Sequence, residues 1–170
     1  MLVVLTGLPC TGKSVVAEAL ARALPATLLS ADSIDATLLA AGIAPDQRPD
    51  IVGYEIMKAL ADEQLALGGS VVIDAVNPFG WVRDEYAAIA SRHSVVAVLV
   101  ATICSDGGMH RARVEARRTE GVKDIDWGGV ERQIAYYELP AADILTLDAV
   151  DSVHDNVAAA LDYVERAQSS

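Results

Sequence analysis

Short apolar runs alternate along the chain with longer stretches whose apolar positions recur every three or four residues. The runs fit strands buried on both faces of a sheet, and the stretches fit amphipathic helices. Leu2-Val3-Val4-Leu5-Thr6 is the first run. A helix over about 13–24 follows, with Val16, Leu20 and Leu24 on one face, Glu18 and Arg22 paired on another, and Pro25 as its stop. A strand is expected near 27–30, and Ala31-Asp32-Ser33 opens a helix to Ala41 that Gly42 closes. Residues 43–50 read as a Pro-containing loop, after which Asp50 caps a long helix to Leu67 carrying Ile51, Tyr54, Met57 and Leu65. The pattern continues with a strand at 70–75, a helix at 81–92, a strand at 95–103 and a strongly basic helix at 106–120. A polar loop at 121–129 precedes a helix at 130–139, a strand at 143–147 and a final helix at 153–166, which Ser152 and Asp155 open as a capping box. Five strands, each followed by helix, predict an α/β fold: a five-stranded parallel sheet with helices on both faces and right-handed crossovers. Ligands of such sheets sit at the carboxyl ends of the strands, where Gly7, Asp32, Asp74 and Cys104 fall.

The turn after the first strand is Gly7-Leu8-Pro9-Cys10-Thr11-Gly12-Lys13-Ser14. Its form is G-x-x-x-x-G-K-S, the Walker A phosphate loop, in the strand-to-helix setting that the motif requires. Gly7 and Gly12 permit backbone angles and a close approach that a Cβ would block. The N–H groups from Gly7 to Val15 then face phosphate oxygens at the positive end of the helix dipole. Lys13 is expected to reach the β- and γ-phosphates of ATP, and the Ser14 hydroxyl to meet Mg²⁺.

The composition narrows the setting. A length of 170 residues suits one domain, and 52% of the residues are hydrophobic, as a sheet covered on both faces needs. The net charge is −11, from 24 acidic and 13 basic side chains, which argues against a nucleic-acid partner. The two cysteines, Cys10 and Cys104, suggest neither a disulfide framework nor a paired metal site. No run approaches a membrane span, and Met1 leads directly into the first strand, so the expectation is a cytoplasmic enzyme.

Phosphoryl transfer needs a cradle, a metal ion, an oriented nucleophile and mobile positive charge. Asp32 is the candidate base for a hydroxyl nucleophile, although Asp is also a favoured helix cap; Asp35 is a less well placed alternative. Asp74, at the end of a strand of Walker B type, is the candidate Mg²⁺ ligand beside Ser14, or else an ordinary turn residue. Asn77 either orients a phosphate or water or serves its turn, and Arg48 sits in the loop before the long helix. Arg111, Arg113, Arg117 and Arg118 form a basic segment. Arg113 and Arg117 are one helical turn apart and can face inward as a closing lid, the alternative being a solvated charged face. His93, His110 and His154 lack metal spacing and read as surface residues.

Gly7–Ser14, Ser30-Ala31-Asp32-Ser33-Ile34, Val72-Ile73-Asp74-Ala75-Val76-Asn77 and Arg113-Val114-Glu115-Ala116-Arg117 together resemble the successive motifs of small P-loop kinases. The branch is that of the chloramphenicol phosphotransferase-like and polynucleotide kinase-like proteins. The resemblance spans almost the whole chain, as one kinase domain over 1–170 with a small Arg-rich lid at about 106–129. It implies a sheet order of 2-3-1-4-5 and an ATP:alcohol phosphotransferase. It matches Asp32 to the catalytic base, Arg113 and Arg117 to lid arginines, and Asp74 to the carboxylate ending the third strand. Acceptor contacts would come from 34–55, which holds Asp35 and Arg48, and from 77–83, which begins with Asn77. The leading expectation is a kinase for a small-molecule hydroxyl such as a sugar, nucleoside or antibiotic-like alcohol. A nucleic-acid 5′-hydroxyl kinase and a regulatory ATPase without acceptor are the alternatives.

Overall fold

The computed structural model describes residues 1–119, 125–140 and 144–169. Strands β1 (Leu2–Thr6), β2 (Thr27–Ser30), β3 (Val71–Asp74), β4 (Ala97–Ile103) and β5 (Leu145–Asp148) pair in parallel in the order β2-β3-β1-β4-β5. This is the order that the resemblance implied. Central β1 pairs Leu2 with Val71 on one side and with Ala97 on the other, so both of its edges are covered. Between the strands run α1 (Lys13–Ala23), α2 (Ala31–Ala40), α3 (Val52–Ala66), α4 (Gly80–Arg92), α5 (Gly107–Thr119) and α6 (Trp127–Ile134), and α7 (Val153–Gln168) follows the last strand.

The two-residue period of the strands divides the core into two layers. Leu2, Val4, Val71 and Ile73 face α3 and α4, packing with Met57, Ala61, Leu65, Val82 and Tyr86. Val3, Leu5, Val72, Val98 and Val100 face α1 and α7, packing with Val16, Leu20, Ala160 and Val164. Each such aliphatic side chain taken fully from water is worth about 1.5–3 kcal/mol. Both layers therefore clamp the strand that launches the phosphate loop.

Several boundaries differ from the sequence reading. The long helix begins at Val52 with Ile51 in the cap position, so Asp50 does not cap it. The segment read as a loop over 121–129 already turns helical at Trp127, where the Asp126 carboxylate accepts the Gly129 N–H at 2.7 Å. Gly128 and Gly129 weaken the helical pattern there, and the cap outweighs them. The last strand runs to Asp148, whose carboxylate accepts the N–H groups of Ser105 and Val150 at 3.1 Å each. Those donors hold the Asp148 carboxyl below its ordinary pKa. Asp143, expected to open that strand, and residues 120–124 of the expected lid lie outside the described residues. Ser152 caps α7 as expected, accepting the Asp155 N–H at 3.1 Å.

The two loop glycines do different work. Gly7 has φ 148°, and a Cβ there would lie 2.3 Å from the Thr102 carbonyl oxygen and 2.4 Å from its Oγ1. Gly12 has φ 91° with open space around the Cβ position. Gly7→Ala should therefore lower the thermal midpoint by more than the ~1–3 kcal/mol equivalent of backbone strain alone. Gly12→Ala should cost no more than that strain; calorimetry on the two variants checks the ranking.

Candidate active site

The phosphate loop is held by contacts across the sheet. Thr11 Oγ1 lies 2.7 Å from Thr102 Oγ1 of β4 and donates to the Leu8 carbonyl at 2.7 Å. Cys10 takes a left-handed φ of 63°, between Gly7 and Gly12, which are also positive. Runs of this kind turn backbone N–H groups toward one side and form an anion-binding concavity. Lys13 is almost buried at 8% exposure, and its Nζ donates to the Leu8 carbonyl at 2.7 Å.

The loop forms one wall of a cleft of about 560 Å³ at the carboxyl ends of the strands. Pro9, Cys10, Gly12, Lys13, Ser14 and Val15 line it from the loop and α1. Asp32 and Asp35 line it from α2, and Asp50, Gly53, Tyr54 and Met57 from the start of α3. Asp74 closes the floor at the end of β3, while Arg113 and Arg117 enter from α5. Residues separated by a hundred positions thus share one space because the sheet order sets β3 and β4 on either side of β1.

Each expected residue can be placed. The N-cap of α2 is Ser30, and Asp32 stands in the first turn, so Asp32 is not the cap. Asp74 is 6% exposed and shares the cleft with Ser14. A carboxylate with a hydroxyl is a hard oxygen donor set of the kind Mg²⁺ takes, so these residues fit that ion. The arginines divide: Arg113 and Arg117 face the cleft, and Arg111 and Arg118 are exposed away from it. Arg113 also donates through Nη2 to the Ala149 carbonyl at 2.9 Å, tying α5 to the turn after β5.

Two expected acceptor-side residues are not on the cleft wall. Asn77 is fully buried with φ 45°, and its Nδ2 donates to the Leu5 carbonyl at 2.6 Å, stitching the exit of β3 to β1. The rest of 77–83 also stays off the wall, Arg83 being spent on the Asn77 and Glu138 carbonyls. Arg48 does not line the cleft either; its Nη2 donates to Asp35 Oδ1 at 2.7 Å behind the wall.

The structure adds residues that the sequence reading left aside. His110 is buried rather than on the surface; its Nε2–H donates to the Pro9 carbonyl at 2.7 Å and its ring meets Trp127 edge-on at 5.3 Å. The signal lies in the spacing of His110, Arg113, Val114 and Arg117, which share the inward face of α5. Tyr54 presents its ring to the cleft; burial pushes its phenol up to about 12, partly offset by a hydrogen bond from the Asn77 backbone. Gln133, from α6, completes the wall.

A profile of the AAA domain family matches residues 2–140. The chain belongs to the AAA domain family. Comparison with curated proteins gives no match. Among solved structures the chain is similar to Kti12 of Chaetomium thermophilum in complex with ADP-AlF3, with TM-score 0.78, 20% identity and 99% of each chain covered. It is similar to a gluconokinase from Sinorhizobium meliloti, with TM-score 0.70 and 20% identity over 98% of this chain and 93% of that one. It is also similar to the APS kinase CysC of Mycobacterium tuberculosis in complex with AMPPNP and APS, with TM-score 0.68, 22% identity and 96% of each chain covered. At these identities the likeness shows the P-loop kinase fold. No described helix is long and apolar enough to cross a membrane.

The contact between His110 and Pro9 makes α5 a support of the loop. His110→Ala leaves the Pro9 carbonyl without this donor and should cost about 1–3 kcal/mol of stability, the usual cost of orphaning a buried polar group. His110→Gln retains an N–H donor and should recover part of that loss; thermal midpoints of the two variants check it.

Proposed function

We propose that the protein is an ATP-dependent phosphotransferase that moves the γ-phosphoryl of ATP to a hydroxyl of a small molecule. The observation that carries this reading is that Lys13, Asp32, Arg113 and Arg117 line one cleft. A nucleotide-binding regulator needs only the loop and its metal ligands, whereas transfer to a hydroxyl also calls for a carboxylate in the same cleft. The sequence resemblance to the chloramphenicol phosphotransferase-like branch points the same way. The reading takes the chain as one kinase domain whose lid is built on α5 and the residues after it.

In this mechanism the loop N–H groups and Lys13 hold the β- and γ-phosphates. Ser14 and Asp74 would hold Mg²⁺, which neutralises charge on those phosphates. Triphosphate seated on the loop directs the nucleotide toward α5 and the start of α7, where Val153 lines the cleft. That leaves the α2 and α3 wall to the acceptor. Asp32 accepts the hydroxyl proton as the acceptor oxygen bonds to the γ-phosphorus and the bond to the ADP oxygen breaks. Arg113 and Arg117 stabilise the charge spread over the phosphoryl in transit. The products are a phosphomonoester and ADP.

Asp32→Asn keeps the shape of the side chain and cannot take a proton. It should bind ATP nearly as tightly as the parent while transfer to acceptor falls by about 10²–10⁴-fold, the usual worth of a positioned base. Unchanged acceptor turnover in this variant would exclude Asp32 from the chemistry. Arg113→Ala and Arg117→Ala should each lower kcat more than they raise the Kd for ATP, because their charge matters most where the transition state develops it. Steady-state kinetics beside nucleotide titration separates these outcomes.

Tyr54 supplies a pH control. Its raised pKa keeps the phenol protonated through neutral pH, so it can donate a hydrogen bond but is not the base. Tyr54→Phe should leave the shape of the pH–rate profile unchanged up to about pH 10, near the ordinary phenol value. Loss of a limb near neutrality in that variant would assign the proton transfer to Tyr54 instead.

A further inference from the structure

The two sides of the cleft differ in charge. Every described Lys or Arg on its wall, namely Lys13, Arg113 and Arg117, belongs to α1 or α5. The acceptor wall carries Asp32, Asp35 and Asp50 and no Lys or Arg. Arg48 stands behind it, bonded to Asp35. Tyr54 adds a phenol ring to the same side.

Carboxylates call for a ligand rich in N–H and O–H donors, and a phenol ring beside them favours a cation. An acceptor bearing its own carboxylate or phosphate would meet like charge on this wall. The three aspartates are also not a metal cage, since no group of three His, Cys, Asp or Glu among the described residues is arranged to hold a metal ion. Their charge is spread along α2 and the entry to α3, a span suited to an organic cation.

We propose that the acceptor is an amino alcohol, with its protonated amine held by Asp35, Asp50 and the Tyr54 ring and its hydroxyl directed to Asp32. This rests on the phosphotransferase reading for the role of Asp32, but the charge preference of the wall stands on its own geometry. It sets the acceptor apart from gluconate-like and other anionic substrates.

The test uses acceptors matched in shape and different in charge: glucosamine, glucose and glucuronate, and separately serinol, glycerol and glycerate. Binding is measured by calorimetry at pH 7 with AMPPNP and Mg²⁺ present, and transfer by ADP and phosphomonoester formed from ATP. In at least one trio the amine should bind about tenfold more tightly than the neutral member, and the carboxylate more weakly than either. Asp50→Asn should erase most of that advantage. Asp35→Asn should likewise erase most of it, since it removes one carboxylate and leaves the Arg48 cation behind the wall. A neutral or anionic member that binds as well as the amine in both trios, or no measurable binding by any member, overturns the proposal, as does an advantage that survives both substitutions. A charge ranking in binding without phosphoryl transfer would leave this inference standing and remove the phosphotransferase reading. Transfer without the charge ranking would do the reverse.

Discussion

The phosphate loop folds back over the end of the sheet at a point where there is no room for a side chain. Gly7 lies against the Thr102 carbonyl, and the hydroxyls of Thr11 and Thr102 meet beside it. This contact fixes the loop to β4, whose far end leads into α5. One close backbone approach thus sets where Lys13 and Ser14 begin α1 and where the chain leaves β4 for α5. The two apolar layers around β1 supply the rigidity that such an approach requires, because packed interiors give little under strain.

From that fixed point the cleft is assembled by topology. Parallel strands deliver their carboxyl ends to one edge, so Asp32, Asp74 and the loop converge although they are far apart in the chain. Helix α5 is bound back to the loop by His110 on Pro9 and to the turn after β5 by Arg113 on Ala149. These bonds leave Arg113 and Arg117 on the inward face. Positive charge gathers at the loop and α5, and negative charge along α2 and the entry to α3. A nucleotide and a cationic partner would each find the complementary side, an arrangement that sets orientation and selectivity more than raw affinity.

Much of this was legible in the sequence because it is local. The strand runs, the Walker A spacing and the Ser152 cap are written in neighbouring residues, and their positions agree with the structure to within a residue or two. What the sequence hid depends on contacts across the fold. Asn77 has the composition of a turn residue, and only the pairing of β1 with β3 shows its amide spent on Leu5. Asp50 looked like a helix cap, but the chain enters α3 through Ile51, which turns Asp50 to the cleft. His110 reads as polar surface until α5 is laid against the loop. The helix from Trp127 was obscured by its two glycines, whose low propensity is outweighed by the Asp126 cap.

The central claim is that the cleft joins a phosphate cradle to a hydroxyl-activating carboxylate. Its most direct test is the identity of the product. The parent protein, incubated with ATP, Mg²⁺ and a panel of hydroxylated metabolites rich in amino alcohols, should form a phosphomonoester in one-to-one amount with ADP, read by mass spectrometry. Formation of ADP with inorganic phosphate alone, across the whole panel, would contradict the account and leave the cleft as that of a nucleotide hydrolase.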